Sequence, residues 1–234
     1  MNPTQTIESD ARKGMKMMTR REVATGILVG TALVGAPAST HAQWLNAREL
    51  PPARTAGGMP FMDAVKLRRS TREYADRPLT DQVLSDLLWA AFGINRPDGG
   101  RTAPYSHHII AIDVYAAMAD GVWLYEPKAH KLLPVIKDDI RAATGVQDFV
   151  GAAPLNLVYV GHRERIPDLG DQEARLNISV DAGFIGQNVY LFCASEGLAT
   201  VFRGALDADK LGRTLQLAGQ EFVTFAQTVG YPRA

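Results

Sequence analysis

Three arginines and two hydroxyl residues fall within five positions of this 234-residue chain, in the run Arg68-Arg69-Ser70-Thr71-Arg72. An arginine guanidinium presents a planar fork of donors that matches phosphate oxygens bidentately, and it stays charged when it is partly desolvated. The serine and threonine hydroxyls add neutral donors to the same stretch. The run therefore suits the binding of one phosphate monoester; the alternative is that the paired arginines are merely the solvated end of a helix.

Other reactive arrangements are poorly represented in the sequence. Cys193 is the only cysteine, so no intramolecular disulfide and no cysteine-based metal cluster is expected. It lies among apolar residues, which predicts an inert, buried thiol. His41, His130 and His162 lack the spacing of metal ligands, and no acidic cluster completes a site. We also find no serine–histidine–acid or cysteine–histidine pattern that is typical of nucleophilic catalysis.

Length and charge limit the classes of protein that the chain can represent. A chain of 234 residues allows one domain of ordinary size, with or without an appendage. The apolar fraction of 46% is enough for a hydrophobic core. Basic and acidic residues number 25 each, so the formal net charge is zero, which argues against a nucleic-acid-binding protein.

The first 42 residues are predicted to be a signal peptide of the twin-arginine type. Arg20-Arg21 precedes an apolar, uncharged run over residues 24–38, and small residues follow up to a processing site after Ala42. The run of about 15 residues is short of the ~20 that span a membrane, so a cleaved signal is favoured over an uncleaved anchor. We therefore expect a bacterial protein in the periplasm, or otherwise exported, by the twin-arginine machinery. Residues 43–59, rich in proline and glycine, are predicted to be a linker.

Hydrophobic periodicity predicts the elements that must position the arginine run. A short helix over Pro60–Leu67 leads into it, and Thr80 is expected to cap a second helix. The loop Gly93–His108 is long enough to be functional. The further predictions are strands at Ile109–Ala116, Gly121–Tyr125, Lys131–Val135, Leu155–Val160, Leu198–Phe202 and Phe222–Val229, and helices starting near Lys137, over Leu169–Glu196 and over Asp207–Leu217.

The longest predicted helix is apolar almost all round from Ile178 to Cys193. Such a helix has to be covered on every side, either by a large domain or by a partner subunit. Because the chain after the linker is of modest length, the pattern favours a dimer in which this helix is central.

From about Pro60 to its end, the chain resembles the flavin-dependent nitroreductase family. The Arg-Arg-Ser-x-Arg run is similar to the family's FMN-phosphate motif. An Arg-Thr-Ala-Pro loop before Ile-Asp-Val-Tyr, a Gly-Leu-Ala-Thr-Val segment and a final strand ending Gly-Tyr-Pro follow in the family's order. The resemblance implies that residues 60–234 form an α+β domain with a mixed β-sheet flanked by helices. It also implies a homodimer with one FMN at each of two sites between the subunits.

The same resemblance implies roles for individual residues. Arg68, Arg69 and Ser70 fall on the family's contacts to the phosphate and ribityl groups of FMN. Arg72 falls where the family places a basic group against the N1/O2 edge of the flavin, and a cation there favours the negatively charged reduced ring. Gly204 resembles the glycine that passes beside the ring near N5. In the last turn of the chain, Arg233 resembles a basic residue that closes on the phosphate.

The loop that contains Arg101-Thr102-Ala103-Pro104 and the residues after it, called the middle loop below, departs from the family pattern. After Ala-Pro the family usually carries small residues, then an asparagine and a glutamine that face the ribityl group and the pyrimidine edge. Here the corresponding positions, after Pro104, hold Tyr105, Ser106, His108 and Ile110. Histidine can donate or accept a hydrogen bond in place of the amide, but isoleucine cannot do so through its side chain. The alternative for the two adjacent histidines is a solvated loop pair.

These features imply an exported FMN-dependent oxidoreductase that reduces nitroaromatic, quinone or similar small acceptors by hydride transfer through flavin N5. The family needs no side-chain acid or base for this step, so no catalytic side chain is expected. Nicotinamide donors are cytoplasmic, which leaves the reductant of an exported enzyme open. The alternatives are a dehydrogenase or oxidase of the same family, or a flavin-binding carrier or redox partner without turnover. A bulky Tyr105 near the ring would favour the carrier by blocking the substrate face.

Overall fold

The computed structural model describes residues 46–233 and has the predicted α+β architecture, with one seven-stranded sheet flanked by helices. The strands are β1 (Arg48–Glu49), β2 (Ile112–Met118), β3 (Gly121–Glu126), β4 (Lys131–Ile136), β5 (Leu155–His162), β6 (Ala199–Arg203) and β7 (Glu221–Gly230). The helices are α1 (Phe61–Leu67), α2 (Asp81–Phe92), α3 (Phe149–Ala152), α4 (Asp171–Ser195) and α5 (Ala208–Thr214). Short 3₁₀ turns span Ser106–His108, Arg141–Thr144 and Arg163–Arg165.

The strand order across the sheet is β1-β4-β3-β2-β5-β7-β6, and each pair of neighbouring strands is antiparallel. The expectation of a mixed sheet is therefore wrong for residues 46–233. Short turns join β2, β3 and β4 in succession, and the single-helix connection between β6 and β7 also reverses the chain direction. Such connections build antiparallel neighbours, whereas a parallel pair needs a crossover.

Strand β5 lies at the centre of the domain and is buried along its whole length, as its composition predicts. Its alternate side chains enter two different cores. Leu155, Leu157 and Tyr159 pack with residues of α2 and α4 on one face of the sheet. Val158 and Val160 pack with residues of α5 on the other face. The sheet is thus covered on both faces, and α4 is part of one cover.

Helix α4 has one side buried in its own protomer and one exposed apolar stripe. Ile178, Ile185 and Val189 are buried in the protomer's own core. In contrast, Leu176, Val180 and Phe184 keep 63%, 44% and 44% of their surface exposed. These three residues recur every four positions and therefore form one continuous stripe. No helix between residues 46 and 233 combines the length and apolarity that crossing a membrane requires.

Two predicted elements differ in the structure. Residues near Lys137 form no helix, because Asp139 accepts hydrogen bonds from the backbone N–H and the guanidinium of Arg141, and such local bonds compete with helix formation. Only the 3₁₀ turn and the one-turn helix α3 follow. Strand β2 begins at Ile112 rather than at Ile109, since the backbone oxygen of Ile110 is bonded by Arg165 and the loop continues to that point.

The described part of the predicted linker, residues 46–59, is packed onto the domain. Strand β1 pairs with β4, and Leu50 enters the core. The backbone N–H and Nε of Arg54 donate to the buried carboxylate of Asp86, at 2.7 and 2.6 Å. The backbone N–H of Met59 donates to Ser195 Oγ at 2.8 Å. These contacts come from a few residues between prolines and glycines. Composition alone therefore predicts a linker and does not reveal the packing. The predicted signal peptide, residues 1–42, lies outside the described residues.

A serine–histidine contact also fastens this segment. Ser85 Oγ donates to the backbone oxygen of Pro51 at 2.6 Å and lies 2.7 Å from His130 Nε2, while His130 Nδ1 lies 2.9 Å from the Tyr125 hydroxyl. Because the single hydroxyl proton of Ser85 goes to Pro51, His130 Nε2 must donate to Ser85 and cannot act as its base. Burial lowers the pKa of His130, which agrees with a neutral ring. The contact is therefore structural.

Candidate functional site

The arginine run leaves the end of α1 in an extended conformation and lies along β6. Helix α1 stops at Leu67, and the backbone N–H of Thr71 donates to Thr200 O of β6 at 2.9 Å. The chain's last described residues pair with the segment that follows the run. Ala75 donates to Tyr231 O at 2.9 Å, and Arg233 donates to Glu73 O at 3.4 Å. The backbone of Arg233 thus lies beside Glu73, directly after the run, although the two residues are 160 positions apart in sequence.

Tyr190 of α4 fixes the centre of the run. Its hydroxyl lies 2.7 Å from Ser70 Oγ and accepts the backbone N–H of Phe202 at 2.9 Å. The Arg68 guanidinium lies over the Tyr190 ring, 5.1 Å from its centroid, which is a cation–π contact. The sequence analysis counts Tyr190 only as part of an apolar helix. The sequence offered one signal for this role. A tyrosine within an apolar helix generally needs a hydrogen-bond partner for its hydroxyl group.

A cleft of about 360 Å³ opens between the run, α4 and β6. Among residues 46–233, the basic side chains of its wall are Lys66, Arg68 and Arg69, and no carboxylate lines it. Thr71 and Tyr190 supply hydroxyl groups. Cys193 also borders the cleft and is fully buried, so the predicted buried thiol is confirmed, and burial raises the pKa of that thiol. A wall of this composition favours an anion.

In the part of the chain that the structure describes, the cations at and beside the run lack acidic partners. Within residues 46–233, no carboxylate lies within ion-pair distance of Arg68, Arg69, Arg72 or Arg233. Arg72 in particular forms no ion pair with either acid that follows it closely in sequence. Like charges held together in this way repel one another, so an anionic ligand would stabilise them.

The middle loop is held against α4 at a different place. Both the backbone N–H and the hydroxyl of Ser106 donate to the buried carboxylate of Asp181, at 2.8–3.1 Å. Burial raises the pKa of Asp181, and the hydrogen bonds from Ser106 act in the opposite direction. Asp181 is the second functional candidate that the sequence analysis misses, because nothing local links it to Ser106, 75 residues earlier.

The other loop residues are arranged around this anchor. The Tyr105 ring packs edge-on against Phe92 at 6.4 Å between centroids, and Pro104 is exposed. His107 and His108 are exposed, with φ of 55° and 56°. Two successive non-glycine residues in the left-handed region are energetically costly, and such strain is frequent at functional sites.

The run and the middle loop lie on opposite flanks of α4. Tyr190 and Asp181, their respective contacts, are separated by nine residues, which corresponds to about 13 Å along the helix and about half a turn around it. The exposed stripe of Leu176, Val180 and Phe184 lies between the two flanks. Within one protomer, a ligand bound by the run is therefore remote from the loop.

Gly204 follows the end of β6, whose other end touches the run. From Thr200 to Gly204 the strand direction covers about 13 Å. A Cβ built on Gly204 would meet only Phe225, at 3.5 Å, so packing within the protomer does not require a glycine there. The exposed Gly204 backbone instead leaves room for another molecule. Among residues 46–233, no group of three or more histidine, cysteine and acidic side chains is arranged to hold a metal ion.

Comparisons with known proteins show the family to which the chain belongs. The model of the nitroreductase family matches residues 65–231. A predicted nitroreductase of Methanocaldococcus jannaschii is 30% identical over 189 residues, covering 74% of this chain and 94% of the relative. The crystal structure of a predicted nitroreductase from Ralstonia eutropha superposes with a TM-score of 0.78 at 38% identity, covering 87% of this chain and 97% of the other. The NADPH:FMN oxidoreductase of Vibrio harveyi, solved with NAD+, shares the fold with a TM-score of 0.55 at 20% identity, covering 74% and 69% of the two chains.

We predict that Ser106→Ala destabilises the protein by about 1–3 kcal/mol at neutral pH, because the buried Asp181 carboxylate loses a donor. The pKa of Asp181 is already raised by burial and should rise further. The loss of stability in Ser106→Ala should therefore be present at pH values above the pKa of Asp181 in the folded protein. It should decrease as the pH falls and the carboxyl is protonated. Denaturant unfolding at several pH values measures this. Ser179→Ala, which removes a hydroxyl from the same helix as Asp181, is the control. An equal loss of stability in both variants at every pH would contradict the prediction.

Proposed function

Because the chain belongs to the nitroreductase family of oxidoreductases, we propose that it is an FMN-dependent enzyme that reduces nitroaromatic, quinone or similar small acceptors. The observation that carries the proposal is the cationic cleft. Arg68 and Arg69 line it without any carboxylate, and no acidic partner within residues 46–233 neutralises them. A phosphate monoester is the ligand that such a wall of guanidiniums and hydroxyls fits best.

The residues of the cleft and of the adjoining segments have distinct roles in this proposal. Arg68, Arg69 and Ser70 hold the phosphate and ribityl groups, and Arg233 closes on the phosphate from the C-terminal segment. Arg72 faces the N1/O2 edge of the ring, where a fixed cation favours the reduced state. When bound, FMN supplies two-electron chemistry by accepting and passing on a hydride at N5. The chain supplies no side-chain acid or base for that step.

We propose that the complete site forms between two protomers. The arginine run and the middle loop cannot meet within one protomer, since they lie on opposite flanks of α4. In the proposed dimer, a two-fold axis along the exposed stripe brings the middle loop of one protomer beside the run of the other. The apolar side chains left exposed on α1 and α4 support this interface; they are Phe61, Met62, Val65, Leu67, Leu176, Val180 and Phe184. Of the predicted interface segment, Ile178–Phe192, only Val180 and Phe184 are large exposed apolar side chains.

Loop geometry bears on the choice between an enzyme and a carrier without turnover. The carrier hypothesis depends on Tyr105 blocking the substrate face. Its ring is half-buried and packs edge-on against Phe92, so it is turned towards the protomer's own core. His108, exposed beside it, remains the candidate for the hydrogen bond that the family's amide makes. These contacts support the enzyme.

We predict that Arg69→Ala weakens FMN binding by about 2 kcal/mol or more, because a phosphate loses a charge-assisted donor. Fluorescence titration of FMN into the apo protein measures the affinity. Arg213→Ala, which removes an exposed arginine in the last turn of α5, is the matched control and should bind as wild type does. Wild-type affinity in Arg69→Ala would remove the phosphate assignment.

We predict that Val180→Glu yields a folded monomer with FMN affinity lowered on the order of tenfold or more, since an interface cannot desolvate an unpaired carboxylate cheaply. Light scattering and FMN titration measure the two effects. Ala129→Glu adds the same charge at the exposed turn between β3 and β4 and should stay dimeric. A wild-type protein that is monomeric while loaded with FMN would contradict the proposed interface.

Export is a further part of the proposal. It rests on the sequence of residues 1–42 alone, since these lie outside the described residues. We propose that this segment directs the folded, FMN-loaded protein to the periplasm through the twin-arginine machinery. Lysine substitution of both Arg20 and Arg21 should then leave the precursor in the cytoplasm, as fractionation and immunoblotting would detect. A doubly substituted precursor that still reaches the periplasm would identify an ordinary secretory signal.

A further inference from the structure

Arg203, the last residue of β6, is a buried cation whose hydrogen-bond partners are all neutral. Its side chain lies on the opposite face of the sheet from α4, and the residue is 3% exposed. The guanidinium donates to Thr228 Oγ1 at 2.9 Å, to the backbone oxygen of Thr144 at 3.0 Å and to Asn156 Oδ1 at 3.1 Å. Within residues 46–233, no carboxylate forms an ion pair with it.

Burying the Arg203 guanidinium among neutral partners costs free energy of folding, so a functional reason for the charge has to be considered. A buried arginine is ordinarily paired with an acid, because hydrogen bonds to neutral oxygens replace only part of the hydration that is lost. Burial accordingly lowers the pKa of Arg203 to about 10, so the side chain still carries its charge at neutral pH. The domain therefore holds a full positive charge in its interior without an anion of its own.

The local structure keeps the guanidinium in one place. Its three bonds join β6 to β7, to β5 and to the 3₁₀ turn that covers this face of the sheet. A Cβ on Gly145 would come within 2.1 Å of Arg203 Nη1, so the neighbouring backbone can pass there only as glycine. Thr228 in turn donates to Asn156 Oδ1 at 2.7 Å, which orients both acceptors. The charge is fixed rather than mobile.

The position of this charge relates it to the candidate site. Gly204, the next residue, is the position that the resemblance to the nitroreductase family places beside the flavin ring. The guanidinium lies on the order of 10 Å or less from that backbone, as the chain geometry requires. Burial raises the pKa of Tyr74, and Arg203 and Arg72 both act to lower it, so the two cations lie near the same buried tyrosine.

We propose that Arg203 is a fixed internal cation that raises the reduction potential of the bound flavin by favouring its negatively charged reduced state. The inference rests on the proposed function. Arg203 acts through the protein interior and touches neither the cofactor nor the substrate, so it tunes the site and is not a catalytic residue. If the ring lies beside Gly204, a unit charge on the order of 10 Å away in a protein interior would change such an equilibrium on the order of tenfold.

Three variants separate the charge of Arg203 from its structural bonds. Arg203→Gln removes the charge and keeps a polar side chain. Arg203→Lys keeps the charge but loses the fork of three bonds. Asn156→Asp leaves the guanidinium in place and neutralises it with an adjacent carboxylate, at the loss of one hydrogen bond from Nδ2 to Val150 O. Redox titration of the FMN-loaded proteins measures the midpoint potential, and thermal unfolding measures stability in the same samples.

We expect Arg203→Gln and Asn156→Asp to lower the preference for the reduced flavin about tenfold, which is ~30 mV more negative for a two-electron couple. Arg203→Lys should retain the wild-type potential even though it is less stable. Arg72→Gln, at the proposed N1/O2 contact, is the positive control for a shift in the same direction.

Equal potentials in wild type, Arg203→Gln and Asn156→Asp would overturn the inference and leave Arg203 a purely structural residue. The same conclusion would follow if Arg203→Lys shifted the potential as far as Arg203→Gln does. Should Arg203→Gln fail to fold, Asn156→Asp decides the question alone, because its guanidinium remains in place. Failure of the proposed function has a different signature, since wild-type protein would then bind no FMN and give no flavin absorption spectrum.

Discussion

Repulsion among unneutralised guanidiniums is the constraint from which the rest of the candidate site follows. Arg68, Arg69 and Arg72 lie within five residues, and the C-terminal segment adds Arg233 beside them. Backbone pairing with β6 and the contacts of Tyr190 hold this charge in place against its own repulsion. A protein gains nothing in stability from such a cluster. Its retention beside a cleft without carboxylates is understandable if an anion completes it.

Helix α4 determines which segments of the protein can contact that anion. One of its flanks carries Tyr190 and the arginine run, and the other carries Asp181 and the middle loop. Its buried side belongs to the protomer's own core, so only the exposed stripe remains for a partner. The geometry of one helix thus links three proposals, namely the phosphate site, the dimer and the participation of both protomers in each site. Arg203 adds a fourth element, an internal charge at the far end of the same strand that borders the cleft.

Local chemistry and periodicity were sufficient to predict most of the elements and the arginine run. The hairpin β3–β4, the cap of Thr80 on α2 and the length of α4 follow from patterns within a few residues. Tyr190 and Asp181 could not be predicted, because their partners lie 120 and 75 residues away. The same holds for Arg203, whose neutral surroundings come from three separate segments. The packed segment before α1 and the antiparallel sheet were missed because both depend on long-range pairing.

A crystal structure of the protein reconstituted with FMN would show whether the arginine run binds the phosphate and whether both protomers contribute to each site. We expect a dimer in which each FMN phosphate contacts Arg68 and Arg69 of one protomer, while the middle loop of the other protomer contacts the same FMN. Gly204 should lie beside the ring, with Arg203 unchanged on the far side of the sheet. An FMN bound entirely within one protomer, or with its phosphate away from the arginine run, would contradict the account.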